Sequence, residues 1–146
     1  MTNPMIIIRV NPCSSVVKMV CLFLLLAVPA TAQVDFDRWL DALAQVETAN
    51  RPAVRGAAGE LSAWQITAPV WRVYTRAPFA EAQTNPRLAR LVARTHAQYL
   101  AHKLTQQGRP VTPAALARRW NPRAPRDYAI RIERLYQTIL TTDEHQ

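Results

Sequence analysis

The chain has 146 residues, with 18 Lys+Arg against 10 Asp+Glu for a net charge of +8, three Gly, eleven Pro and two Cys. Its length fits one small domain, and a hydrophobic content of 49% excludes a disordered chain, which could not bury enough apolar surface to fold. Three glycines are too few for glycine-rich phosphate loops, and the positive charge calls for an anionic partner without saying which.

Residues 1–32 stand apart: they hold no acid, and only Arg9 and Lys18 as bases. The uncharged run Met19–Ala30 is too short to cross a membrane, which takes about twenty apolar residues, but it suits the apolar region of a signal peptide. Ala30-Thr31-Ala32 offers small residues for cleavage before Gln33; an uncleaved N-terminal anchor is the alternative. Cleavage removes both cysteines, Cys13 and Cys21, and leaves an exported domain, residues 33–146, without disulfide or thiol chemistry. The leader takes two bases and no acid with it, so the domain keeps a charge of +6. A periplasmic or secreted location follows, with no stable membrane insertion once the signal is gone.

Proline and capping residues divide the remaining chain into five predicted helices. Asp35 caps the first, whose stripe is Phe36, Trp39, Leu40, Leu43, Val46 and Glu47, and Asn50-Arg51-Pro52 ends it. Residues 51–65, with Gly56 and Gly59, read as irregular. Thr67 before Ala68-Pro69 opens a short helix through Tyr74, and Asn85-Pro86 opens a long one that runs to Gly108 with Leu88, Leu91, Val92, Thr95, Tyr99 and Lys103 or Leu104 on its face. Thr112-Pro113 begins a helix ending near Trp120-Asn121-Pro122. The last spans about Arg126 to Leu140, with Tyr128, Ile132, Leu135, Tyr136 and Ile139 aligned. No alternation of period two appears, so the expected fold is mainly α with little or no sheet.

Glu47 lies four residues after Leu43 and seven after Leu40, on the apolar stripe of the first helix. A carboxylate there is either a peripheral group in the last turn, paired with an arginine, or a desolvated acid in a cleft. Desolvation raises a carboxyl pKa, which is what a general acid requires.

Further along the chain the sequence reads Gly59-Glu60-Leu61-Ser62-Ala63-Trp64-Gln65-Ile66, then Thr67-Ala68-Pro69. Here the chain resembles the lytic transglycosylases of the lysozyme-like superfamily. Val46-Glu47-Thr48 is similar to their helix ending in Glu-Ser, and Ser62-Ala63-Trp64-Gln65-Ile66 to their Gly-x-x-Gln-Ile. Trp120-Asn121-Pro122-Arg123 and the Tyr128-led helix resemble their Tyr-Asn-Ala-Gly element and the helix after it. The three elements occur in the family's order and span Val46 to Tyr136. The sequence departs from the pattern at Thr48 for Ser, Ser62 for the first Gly, and Arg123 for the Gly after Asn.

The resemblance implies a small lysozyme-like domain, expected to be monomeric, that acts on peptidoglycan glycan strands without a cofactor. Glu47 would protonate the glycosidic oxygen between N-acetylmuramic acid and N-acetylglucosamine and then act as base, while the sugar's own 6-hydroxyl closes a 1,6-anhydro ring. Gln65, Asn121 and Tyr128 would line the cleft, with the Tyr128 phenol holding the acid. Glu60 is open: it is a second carboxylate for a hydrolytic, lysozyme-type enzyme, or a loop acceptor for backbone N–H groups or a partner of Arg51 or Arg55. Trp64 is a candidate for stacking on a sugar face, whereas Trp39 and Trp71 read as core. His96 and His102 are six residues apart and miss the shared face that a metal site needs, and His145 adds no ligand spacing, so no metal is expected. Two further readings remain. One is a non-catalytic cationic module that grips cell wall. The other is a nucleic-acid binder, against which the bases are spread over every helix.

Overall fold

The structure, a computed structural model, describes residues 33–143. The expected signal peptide and its cleavage point lie outside the described residues, as does His145. Among the described residues the chain is mainly α, with six helices and no strand: α1 Phe36–Thr48, α2 Ala68–Tyr74, α3 Glu81–Thr84, α4 Pro86–Gln106, α5 Pro113–Trp120 and α6 Arg126–Asp143.

Five of these match the expected helices, and three of the expected caps are formed. The Asp35 carboxylate accepts from the Asp37 and Arg38 backbone N–H groups, Asn85 from that of Leu88, and Thr112 from that of Ala115. Thr67 occupies the cap position of α2, but its side chain makes no capping bond. The sixth helix, α3, is a single turn without a side-chain cap, so no residue pattern announced it.

α1 packs on α6 and α4, and α5 closes over α6. Trp39, Leu40 and Leu43 on α1 are fully buried, as are Leu116 on α5 and Ile132 on α6. The Trp39 indole donates to the Pro113 carbonyl at 3.1 Å, and the Tyr136 hydroxyl accepts from the Asp35 backbone N–H at 3.0 Å. Both bonds hold the N-terminal end of α1. On its outer side, Asp41 meets Arg90 at 2.6 Å and Asp37 meets Arg94 at 3.2 Å, so α4 is also tied to α1 by exposed ion pairs.

The inward face of α4 differs from the expected one. Leu91 and Tyr99 are exposed at 60% and 48%, and the face that packs is Ala89, Ala93, Ala97 and Ala101 together with Val92, Leu100 and Leu104. Alanines four residues apart line one side of a helix. Their small side chains let the neighbouring helices approach closely, which rotates the bulkier residues of the same helix outward.

α1 stops abruptly because Ala49 and Asn50 both adopt left-handed conformations, with φ of 52° and 61°. Asn tolerates this region, but alanine is strained there. Ala49 is exposed, so a glycine at this position loses no packing. Ala49→Gly is therefore expected to stabilise the protein by about 0.5–1 kcal/mol, read as a rise of roughly 2–6 °C in melting temperature.

Candidate active site

The site is built where the end of α1 meets the loop that follows it. Leu61 and Ile66 exchange backbone hydrogen bonds at 2.9 and 2.8 Å, and both side chains are buried, so they pin the ends of a tight turn. Within it Ser62 and Gln65 have φ of 77° and 49°, and the Gln65 backbone N–H donates to the Ser62 carbonyl at 3.2 Å. The buried Thr48 hydroxyl lies 3.2 Å from both the Ala44 and the Ala63 carbonyl oxygens. This hydroxyl joins the last turn of α1 to the Ser62–Gln65 turn. The left-handed residues other than glycine in the described chain all fall in these two segments, directly beside Glu47 and Gln65.

Glu47, Gln65 and Asn121 line one cleft of about 560 Å³, with Glu60, Trp120 and Arg123 also on its walls. Glu47 is half-buried, and the Tyr128 hydroxyl on α6 donates to its carboxylate at 2.5 Å. Burial pushes the Glu47 pKa above the ordinary carboxylate range; the Tyr128 bond pulls it back, Glu60 raises it by like charge, and Arg131 lowers it. Tyr128 itself is held protonated, its pKa raised by burial and by the adjacent carboxylate. The geometry thus gives a carboxyl group kept partly out of water, oriented by a phenol, and facing a cleft.

Glu60 stands in the same cleft, and its role in the loop is explicit. Its carboxylate accepts from the Ala58 backbone N–H at 3.0 Å, and its carbonyl accepts from Gly56 N–H at 2.8 Å. Gly56 is open on the side where the Glu60 carboxylate and the Gln65 amide oxygen converge; any Cβ there would collide with both. Gly56→Ala is therefore expected to leave the melting temperature nearly unchanged, since only side-chain tips must move. Any reaction that uses Glu47 together with Gln65 should slow on the order of 10–100-fold through misplacement of these tips. Comparing thermal melts with turnover checks both halves of that expectation.

Glu60→Gln tests the electrostatic link. Removing the like charge lowers the Glu47 pKa, so any reaction in which Glu47 is the general acid should have its alkaline limb moved to lower pH and keep its rate at acidic pH. A reaction lost at every pH would instead make Glu60 a second reacting carboxylate.

Trp64 departs from the sequence expectation. It is 7% exposed, and its indole donates to the Leu40 carbonyl at 3.0 Å, so it belongs to the core and offers no face to the cleft. The aromatic ring at the cleft is Trp120, which the sequence did not single out as a site residue. Its position beside Asn121 was the available signal. Trp39 and Trp71 are fully buried, as expected. His96 lies among aromatic rings, bonded through Nδ1 to the Tyr74 hydroxyl at 3.1 Å and packed edge-on against Trp120 at 5.2 Å. Burial lowers its pKa. No family model, curated protein or solved structure matches this chain.

Proposed function

We propose that the protein is an exported peptidoglycan-cleaving enzyme of the lytic transglycosylase type, with Glu47 as its single catalytic acid and base. The observation that carries this reading is the Glu47–Tyr128 pair: a half-buried carboxyl with a raised pKa, held by a phenol at 2.5 Å, on the wall of a cleft shared with Gln65 and Asn121. Protonated Glu47 gives its proton to the glycosidic oxygen as the bond from that oxygen to C1 of N-acetylmuramic acid breaks. The 6-hydroxyl of the same sugar then bonds to C1 and returns its proton to the Glu47 carboxylate. Gln65 and Asn121 supply amide donors and acceptors to the bound sugars.

A hydrolytic outcome is the second reading, favoured by one feature: Glu60 lies on the same cleft and acts on the Glu47 charge. Its bond to the Ala58 N–H favours the loop role, because a carboxylate engaged in this way is less available to activate water. Mass spectrometry of muropeptides released from purified sacculi separates the two. Anhydro ends support the transglycosylase, hydrated reducing ends support the hydrolase, and no release from several kinds of sacculi sinks both.

A further inference from the structure

Arginines supply most of the positive charge of residues 33–146, and nearly all the described acids that pair with them lie on α1 or within α6. Three arginines lining the cleft or the hollow that shares Asn121 and Pro122 with it are different. Arg118 on α5, Arg123 in the following loop and Arg126 at the start of α6 are all exposed, and none has a hydrogen-bond or ion-pair partner among the described residues. Arg119 beside them is bonded to Gln107, and Arg131 is paired with Asp127, so neither is available in this way.

These three arginines line two neighbouring hollows. Arg123 is on the wall of the Glu47 cleft, while Arg118 and Arg126 flank a second hollow of about 480 Å³. The two hollows share Asn121 and Pro122, and Tyr128 lines the second while its hydroxyl reaches Glu47 in the first. The second hollow also takes in the first residues of α6, an 18-residue helix. The positive end of a helix dipole and its free N–H groups favour an anion there. The one acid in that first turn, Asp127, is paired with Arg131.

Guanidinium groups match carboxylates in shape and charge. In peptidoglycan, the carboxylates nearest a cleaved glycosidic bond are on the peptide carried by the lactyl group of N-acetylmuramic acid. We propose that the hollow beyond Asn121 and Pro122 is a peptide subsite, in which Arg118, Arg123 and Arg126 hold the carboxylates of the muramyl peptide and make the enzyme select peptide-bearing over peptide-free glycan. This assignment rests on the glycan reading of the cleft. It differs from a general attraction to acidic polymers because it places the selectivity in three residues at one end of the site. Arg123 is central to it, since it stands where the resembled family carries glycine.

Binding of full-length Glu47→Gln protein to soluble glycan strands tests the subsite without requiring turnover, so a failure of the chemistry and a failure of the subsite remain distinguishable. Peptide-bearing strands are expected to bind on the order of tenfold more tightly than strands stripped of peptide by an amidase and then amidated at the lactyl carboxylates this exposes, with the difference shrinking at high salt. In the same background, Arg118→Ala/Arg123→Ala/Arg126→Ala should erase that difference, whatever it costs the binding of stripped strands. Arg72→Ala/Arg109→Ala/Arg134→Ala removes the same charge from exposed arginines away from both hollows, unpaired among the described residues, and should keep the difference. The single change Arg123→Glu should invert the preference, and circular dichroism with thermal melts establishes that each variant is folded. Equal loss in both triple variants, a preference untouched by the first triple, or no binding to either strand type would overturn the proposal. So would binding of a single-stranded oligonucleotide as tight as that of peptide-bearing strands.

Discussion

Glu47→Gln protein is expected to fold normally and to release muropeptides from sacculi roughly 10³-fold more slowly than the wild type, the size of effect that follows from losing a positioned general acid. Glutamine keeps the shape and can still accept from the Tyr128 hydroxyl, which now meets the Glu47 carboxylate at 2.5 Å, so the cleft should not collapse. The same substitution has a second signature in stability. Burial raises the Glu47 pKa in the folded protein, whereas the unfolded chain has a carboxyl near about 4.3. The folded wild type therefore binds the proton more tightly, and its stability falls as pH rises through the interval between the unfolded and folded values. Glutamine has no such dependence. The variant should match the wild type in melting temperature at low pH and exceed it increasingly toward neutral pH, reaching a constant advantage above the folded pKa. A variant that is inactive and also gains stability in this pattern identifies an acid held uncomfortably for function. Unaltered release would remove Glu47 from the chemistry and leave the non-catalytic wall-binding module as the better account.

Trp39→Ala should have the largest effect on the fold. The side chain is fully buried, and truncating a core tryptophan costs about 3–5 kcal/mol from the cavity and the lost transfer energy. The substitution also removes the indole bond to the Pro113 carbonyl, which keeps its helical bond within α5, and one lost hydrogen bond adds about 0.5–1.5 kcal/mol. Against a total of about 5–15 kcal/mol for a domain of this kind, that is a large share. A fall of more than about 12 °C in melting temperature is expected, and partial unfolding at 37 °C. Trp39→Phe separates the two contributions, because it keeps most of the packing while losing the bond to Pro113. It should cost less and act more locally. Trp39 meets Trp120 edge-on at 5.7 Å, and Trp120 lines the cleft, so the phenylalanine variant should weaken glycan binding more than its modest stability loss accounts for. A variant equally stable and equally tight in binding would show that α5 does not depend on this contact.

The helices were legible in the sequence because their signals are local. Asp35, Asn85 and Thr112 each cap a helix through bonds to backbone groups two or three residues away, and the prolines after Asn85 and Thr112 are already in helical geometry at the first turn. Glu47 was legible for a related reason: its place on the stripe of Leu40 and Leu43 is a matter of helical period alone. Where the reading went astray, size had been mistaken for burial. Leu91 and Tyr99 were expected inside α4, but the alanines at 89, 93, 97 and 101 set how near its neighbours come, and the larger residues turned outward. The short α3 carries no side-chain cap at all, so nothing in its residues marked it.

What the sequence determined by itself was the helical class, most of the helix starts, and a carboxylate on an apolar face. Tertiary structure alone decided what surrounds that carboxylate. The Tyr128 hydroxyl comes from 81 residues away, and the Thr48 hydroxyl ties the end of α1 to a turn 15 residues on. Trp64 and Trp120 both adjoin a candidate site residue, Gln65 and Asn121, yet one faces the core and the other the cleft. That choice depends on which side of a turn held by Leu61 and Ile66 meets the Leu40 carbonyl, and on how α5 seats against Trp39. Local spacing fixes which residues share a face of one helix. Burial, desolvation and the partner of each polar atom are set only when faces from distant segments close on one another.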